Sequence, residues 1–70
     1  MKSCIKRLHH EMRIDEVLRI VLTHDYELTI KKEDKVTSSG ALIIILRTNG
    51  RRVIVNPGQV IFACTQEARV

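Results

Sequence analysis

Three arginines bunched around one turn, Arg47, Arg51 and Arg52, are the side chains of this chain best suited to a chemical task. A guanidinium is always charged and presents a rigid fork that matches the oxygens of a phosphate or a carboxylate. Lys31, Lys32 and Lys35 lie upstream and extend the set, with Glu33 and Asp34 partly cancelling them. Together the six cations point to an anion-binding surface, and nucleic acid is the polyanion the pattern favours. The charge distribution agrees. The chain carries a formal net charge of +4 over 70 residues, unevenly spread. Residues 1–13 hold Lys2, Lys6, Arg7 and Arg13 against Glu11, and residues 36–70 hold Arg47, Arg51, Arg52 and Arg69 against Glu67. Acidic side chains concentrate in between, and none occurs from Val36 to Gln66.

Other chemistries find less support. The three glycines, Gly40, Gly50 and Gly58, are spaced as turn residues and make no phosphate-cradling loop. Cys4, His9, His10, His24 and Cys64 lack the short ligand spacings that zinc sites use. Ser38 and Ser39 have no neighbouring base to activate them, and Asp15-Glu16 and Glu33-Asp34 read as solvated pairs. No catalytic residue, metal or cofactor is therefore expected, and the chain is not expected to be an enzyme. The only aromatics are Tyr26 and Phe62. Single-strand recognition commonly stacks bases on aromatic rings, so duplex or backbone contact fits better, with Tyr26 the one stacking candidate.

Length and composition bound what can carry these residues. Hydrophobic residues make up 44% and charged residues 29%, an ordinary globular balance. Seventy residues suit a single small domain, 1–70, whose core supplies only about 3–5 kcal/mol by itself. Two cysteines permit at most one disulfide, and two buried free thiols in a reducing cytoplasm are the simpler expectation. No apolar run is long enough to span a membrane, and no signal-like segment opens the chain, so no membrane partner is expected.

The elements that must position the cations are legible from periodicity. Ser3 is expected to cap a short helix to about Met12, with Ile5, Leu8 and Met12 on one face. Residues 14–23 fit a helical stripe and a strand alternation; the β-branched content favours a strand over 16–23, pairing with 26–32 across His24-Asp25. Residues 32–40 read as a flexible polar loop. Ala41 to Asn56 is the strongest signal: a buried-strand run, Asn49-Gly50, and a return strand. Asn-Gly predicts a two-residue type I′ turn, which sets Arg47 opposite Arg52 and Ile45 opposite Ile54. Asn56-Pro57-Gly58 punctuates the chain before a last strand over 60–65, and Gln66–Val70 is expected to be loose. The fold class is α+β and β-rich: a short N-terminal helix and about five antiparallel strands in a small barrel or meander. Strands apolar on both faces need cover that one helix cannot give, so a homo-oligomer is expected.

Residues 46–61, through Arg47, Asn49, Gly50, Val55, Asn56, Pro57 and Ile61, resemble the opening of the small FlbD/SwrD-type flagellar proteins. There an Arg-x-Asn-Gly hairpin leads into a strand, Asn-Pro and a further strand. The resemblance implies a small non-enzymatic accessory role and brings no catalytic residue. The coarse order of one helix and five strands also resembles the Sm-like layout, whose subunits form rings on RNA. The expected function is a cytoplasmic binding or regulatory module that meets an anionic partner. A small protein-interaction factor on an acidic protein surface, a motility accessory or a phage-type inhibitor, is the alternative.

Overall fold

Apolar alternation organises the core. The computed structural model describes residues 2–68, with side chains from Cys4 onward; Arg69 lies outside the described residues. Helix α1 (Lys2–Glu11) is followed by β1 (Glu16–Leu22), β2 (Glu27–Lys31), β3 (Lys35–Ser39), β4 (Leu42–Leu46), β5 (Arg52–Val55), a 3-10 turn (Pro57–Gln59) and β6 (Val60–Glu67). Two antiparallel three-stranded sheets result, ordered β2-β1-β6 and β3-β4-β5. The α+β, β-rich class is as expected, in two open sheets. No helix of the described residues is long and apolar enough to cross a membrane.

Strand β1 is central because it pairs on both sides, and its Leu18, Ile20 and Leu22 all point inward. They meet Leu28 and Ile30 of β2, Ile43 and Ile45 of β4, and Val55 of β5. Helix α1 contributes Ile5 and Leu8, and Met12 follows just beyond its end, the face expected from their spacing. The helix begins at Lys2, so Ser3 lies within it. Its side chain lies outside the described ones.

Four departures from the sequence reading have physical causes. Residues 35–39 form a strand where a loop was expected. β4 supplies a hydrogen-bonding template, and only Val36 of this edge strand needs an apolar side. The polar remainder, Thr37, Ser38 and Ser39, is what an exposed edge tolerates. β6 contains an irregularity opposite Val21/Leu22: Val21 faces Phe62 and Leu22 faces Val60, leaving Ile61 as the extra residue. The bulge puts Val60 and Ala63 on the core together and leaves Phe62 and Ile61 outside. The segment expected to be loose continues β6 to Glu67, and the Ala68 amide donates to the Asp15 carbonyl at 2.8 Å.

The fourth departure concerns the β4–β5 hairpin. Its pairs are Leu46–Arg52, Ile45–Val53, Ile44–Ile54 and Ile43–Val55, one residue away from the expected register. The Arg47 amide donates to the Arg51 carbonyl at 2.8 Å, and Thr48-Asn49-Gly50 form a three-residue loop. Of Asn49 and Gly50 only Gly50 has positive φ, at 86°, so the turn is a type I turn closed by a glycine bulge. A one-residue change of register flips every side chain of the strand. Val53 and Val55 face the core, and Ile54 is 61% exposed.

Candidate anion-binding groove

The register decides where each arginine goes. Arg47 and Arg52, expected side by side, are not opposite one another: Arg52 faces Leu46, and Lys35 faces Leu46 from the other side. Lys35, Leu46 and Arg52 thus form one row across the outer face of the sheet. Arg47 and Arg51 instead share a groove of about 390 Å³ with Lys31, Tyr26 and Asn49. Leu28 and Val53 line it too, and Asp34 lies at its base.

Asp34 holds the site together. Its carboxylate is 3% exposed and accepts from two backbone amides: Lys31 N at 2.9 Å and Thr48 N at 3.1 Å. The first closes the β2–β3 turn on itself, aided by the Asp34 amide donating to the Lys31 carbonyl at 3.1 Å. The second fastens that turn to the tip of the β4–β5 hairpin, so two basic segments distant in sequence become neighbours. Arg47 adds a further tie, with its Nε 4.0 Å from the Asp34 carboxylate and Nη2 donating to the Thr29 carbonyl of β2 at 2.8 Å. Arg47 is therefore a positioning residue that also lines the groove. The sequence reading treated Asp34 as a surface charge offsetting its lysine neighbours; only the fold shows that it is buried.

Lys32 also has a structural task. Its Nζ donates to the carbonyls of His9, at 2.9 Å, and His10, capping the C-terminal end of α1 where unpaired carbonyls favour a cation. His9 adds a hydrogen bond between Nε2 and the Lys31 carbonyl at 3.0 Å. Four of the six expected cations remain with side chains that have no ion-pair or hydrogen-bond partner among the described residues: Lys31, Lys35, Arg51 and Arg52. All four are exposed. Lys31 and Arg51 face the groove, while Lys35 and Arg52 flank Leu46 around the corner.

Tyr26 is 58% exposed and stands at the groove wall. Asn49 Oδ1 accepts from the Arg51 amide at 2.9 Å, which leaves its side-chain NH2 without a partner among the described residues. This end of the molecule can hold an anion between two exposed cationic heads, beside an aromatic face and an amide donor. Among the described residues no three His, Cys, Asp or Glu side chains gather as a metal site. Both cysteines are free; Cys4 is exposed where burial was expected, and Cys64 is half-buried. Comparison with protein-family models, curated proteins and solved structures returns no match, so the chemistry of the groove is what points to a function.

Proposed function

We propose that this chain is a non-enzymatic binding or regulatory module of the cytoplasm whose basic end meets a polyanion, nucleic acid in the first place. One observation carries the reading: Asp34 pins the 31–35 turn to the 47–52 hairpin tip and gathers Lys31, Lys35, Arg51 and Arg52 without ion-pair partners. None of the four lies within ion-pair distance of a carboxylate among the described residues, and the exposed carboxylate in the same turn is Glu33. Two free cysteines suit a reducing compartment. Self-association belongs to the same proposal. The outer face of β3-β4-β5 exposes Leu42, Leu46 and Ile54, and β5 and β6 each end a sheet with one strand edge unpaired. A second copy would cover both features and multiply the basic ends on one particle, raising avidity.

The test is fluorescence anisotropy with labelled oligonucleotides at several salt concentrations, on samples whose mass is set by sedimentation equilibrium. Binding should fall linearly on a log–log salt plot, by roughly 0.9 in slope for each phosphate neutralised in a duplex. R51A/R52A should flatten that slope by about two such contacts. No binding at low salt would remove nucleic acid as the partner, and a stable 8.1 kDa species would remove the oligomer.

A further inference from the structure

We infer that the groove between the β4–β5 tip and β2 is a nucleotide subsite for single-stranded nucleic acid, taking one phosphate between Lys31 and Arg51 and the adjoining base against Tyr26. This rests on the polyanion reading above and sharpens it. Sequence alone favoured duplex contact, because one aromatic far from the arginines in the chain offers no stacking platform. The fold removes that separation. Tyr26 follows the β1–β2 turn and Arg51 follows the β4–β5 turn, yet both border the same space of about 390 Å³, which Lys31, at the far end of β2, also lines. Ligand sites of small organic molecules begin near this size.

The parts match what a nucleotide presents. Its phosphate needs charge, and Lys31 and Arg51 offer two exposed cations with no competing partner among the described residues. Its base needs a flat apolar surface, and the Tyr26 ring is 58% exposed. A base edge needs donors and acceptors. The side-chain NH2 of Asn49 and the hydroxyl of Thr48, which also lines the groove, have no hydrogen-bond partner among the described residues. The one carboxylate present, Asp34, does not repel the ligand strongly. Both its oxygens accept backbone amides, and Arg47 lies beside it. Duplex DNA stacks its bases inside and shows a convex backbone, so it cannot bring a base face to Tyr26. A single strand can. An acidic peptide would use the cations alone and leave Tyr26 without a role.

The molecule contains one tyrosine and no tryptophan, so its tyrosine emission reports on this groove alone. Unlabelled single-stranded oligonucleotide should quench that emission on binding, whereas linear polyphosphate should bind without comparable quenching. By anisotropy, Y26A should weaken single-strand binding roughly tenfold, as loss of one stacked base does, without changing the salt slope. Y26F should restore it, and R51A should lower both affinity and slope. Tyr26 contributes little to the core, and circular dichroism of Y26A checks the fold. If Y26A binds single strands as the parent does while R51A does not, the nucleotide subsite is overturned and the polyanion reading stands. Duplex binding equal to or tighter than single-strand binding overturns it equally. Failure of every polyanion to bind at low salt overturns both.

Discussion

Two hairpins of this molecule reverse the usual association between glycine and tight turns. The β1–β2 hairpin turns on His24-Asp25, with φ of 63° and 59°, and no glycine. The Leu22 amide donates to the Tyr26 carbonyl at 2.7 Å around the three-residue loop Thr23-His24-Asp25, and within it the Tyr26 amide donates to the Thr23 carbonyl at 3.4 Å across the two positive φ values. The β4–β5 hairpin has the Asn-Gly pair that favours type I′, yet its loop, of the same three-residue length, has only Gly50 in the left-handed region. The difference lies in what surrounds each turn. Around His24-Asp25 the strands fix the register locally, because β1 is buried on one face and the three-residue loop Thr23-His24-Asp25 keeps Leu28 and Ile30 opposite Ile20 and Leu18. At the other tip a tertiary contact intervenes: Thr48, the first loop residue, donates its amide to Asp34. The three-residue loop, in place of the two-residue turn expected from Asn-Gly, also places Val53 and Val55 inside with Ile43 and Ile45. Burial and a buried carboxylate outweigh the local preference of a dipeptide, and they send Arg51 into the groove.

Breaking that tertiary contact should give the largest effect. D34A removes the acceptor of two amides and the partner of Arg47, leaving buried donors unsatisfied. The expected loss is about 3 kcal/mol, comparable to the whole stability of a domain this small. Urea unfolding followed by far-UV circular dichroism measures it. D34N keeps one acceptor oxygen and should lose less. A D34A protein as stable as the parent would mean that the β4–β5 loop is set by its own sequence after all.

Exchanging the backbone chemistry of the two turns should give smaller shifts of opposite sign. Residues other than glycine generally pay about 1–2 kcal/mol in the left-handed region, although His and Asp pay less than most. H24N/D25G should therefore stabilise the protein by about 1 kcal/mol, visible as a higher melting temperature. G50A should destabilise it by about 1 kcal/mol. A Cβ at Gly50 would meet nothing within 4 Å, so that loss comes from the backbone alone. If G50A proves neutral, the glycine bulge is not what closes the loop.

The comparison also shows how far the sequence could be read. Alternation placed β1, β2 and β4 within a residue or two, because each has one wholly apolar face: Leu18/Ile20/Leu22, Leu28/Ile30 and Ile43/Ile45. The Ile5/Leu8/Met12 spacing fixed the helix face for the same reason. Strand β3 was hidden because an edge strand with one core residue, Val36, carries almost no periodic signal. Register was hidden because two loop lengths fit the same residues, and choosing between them needs Asp34, 14 residues from Thr48. The cations were visible as a set, but their division was not. Nothing in the composition distinguishes Lys32, which caps a helix, from Lys31, which faces the groove. Tyr26 was visible only as an isolated aromatic, and its place beside Arg51 is a product of two turns meeting.

The smallest expected effect concerns the other carboxylate that joins elements, Glu27, which contrasts with Asp34 by lying on the surface. It spans β1 and β2 through two hydrogen bonds from Arg19, at 2.7 and 3.0 Å, and Arg19 also sits 5.9 Å from the centre of the Phe62 ring. The hydrogen bond from Arg19 holds the Glu27 carboxyl below its ordinary range, and the Arg19 charge adds to the effect. A carboxyl more acidic in the folded chain than in the unfolded one stabilises the fold above the unfolded value, near 4.3. That contribution disappears as pH falls through the lower, folded value, because the unfolded chain takes up the proton first. Arg19 is shifted upward and stays charged throughout this window. E27Q should therefore melt at a temperature that falls less between about pH 7 and pH 3 than the parent's does. Added salt should narrow the gap between the two proteins, since exposed ion pairs are screened. Identical acid limbs for E27Q and the parent would show that the bidentate pair adds nothing to the β1–β2 hairpin, leaving turn geometry and burial as its only supports.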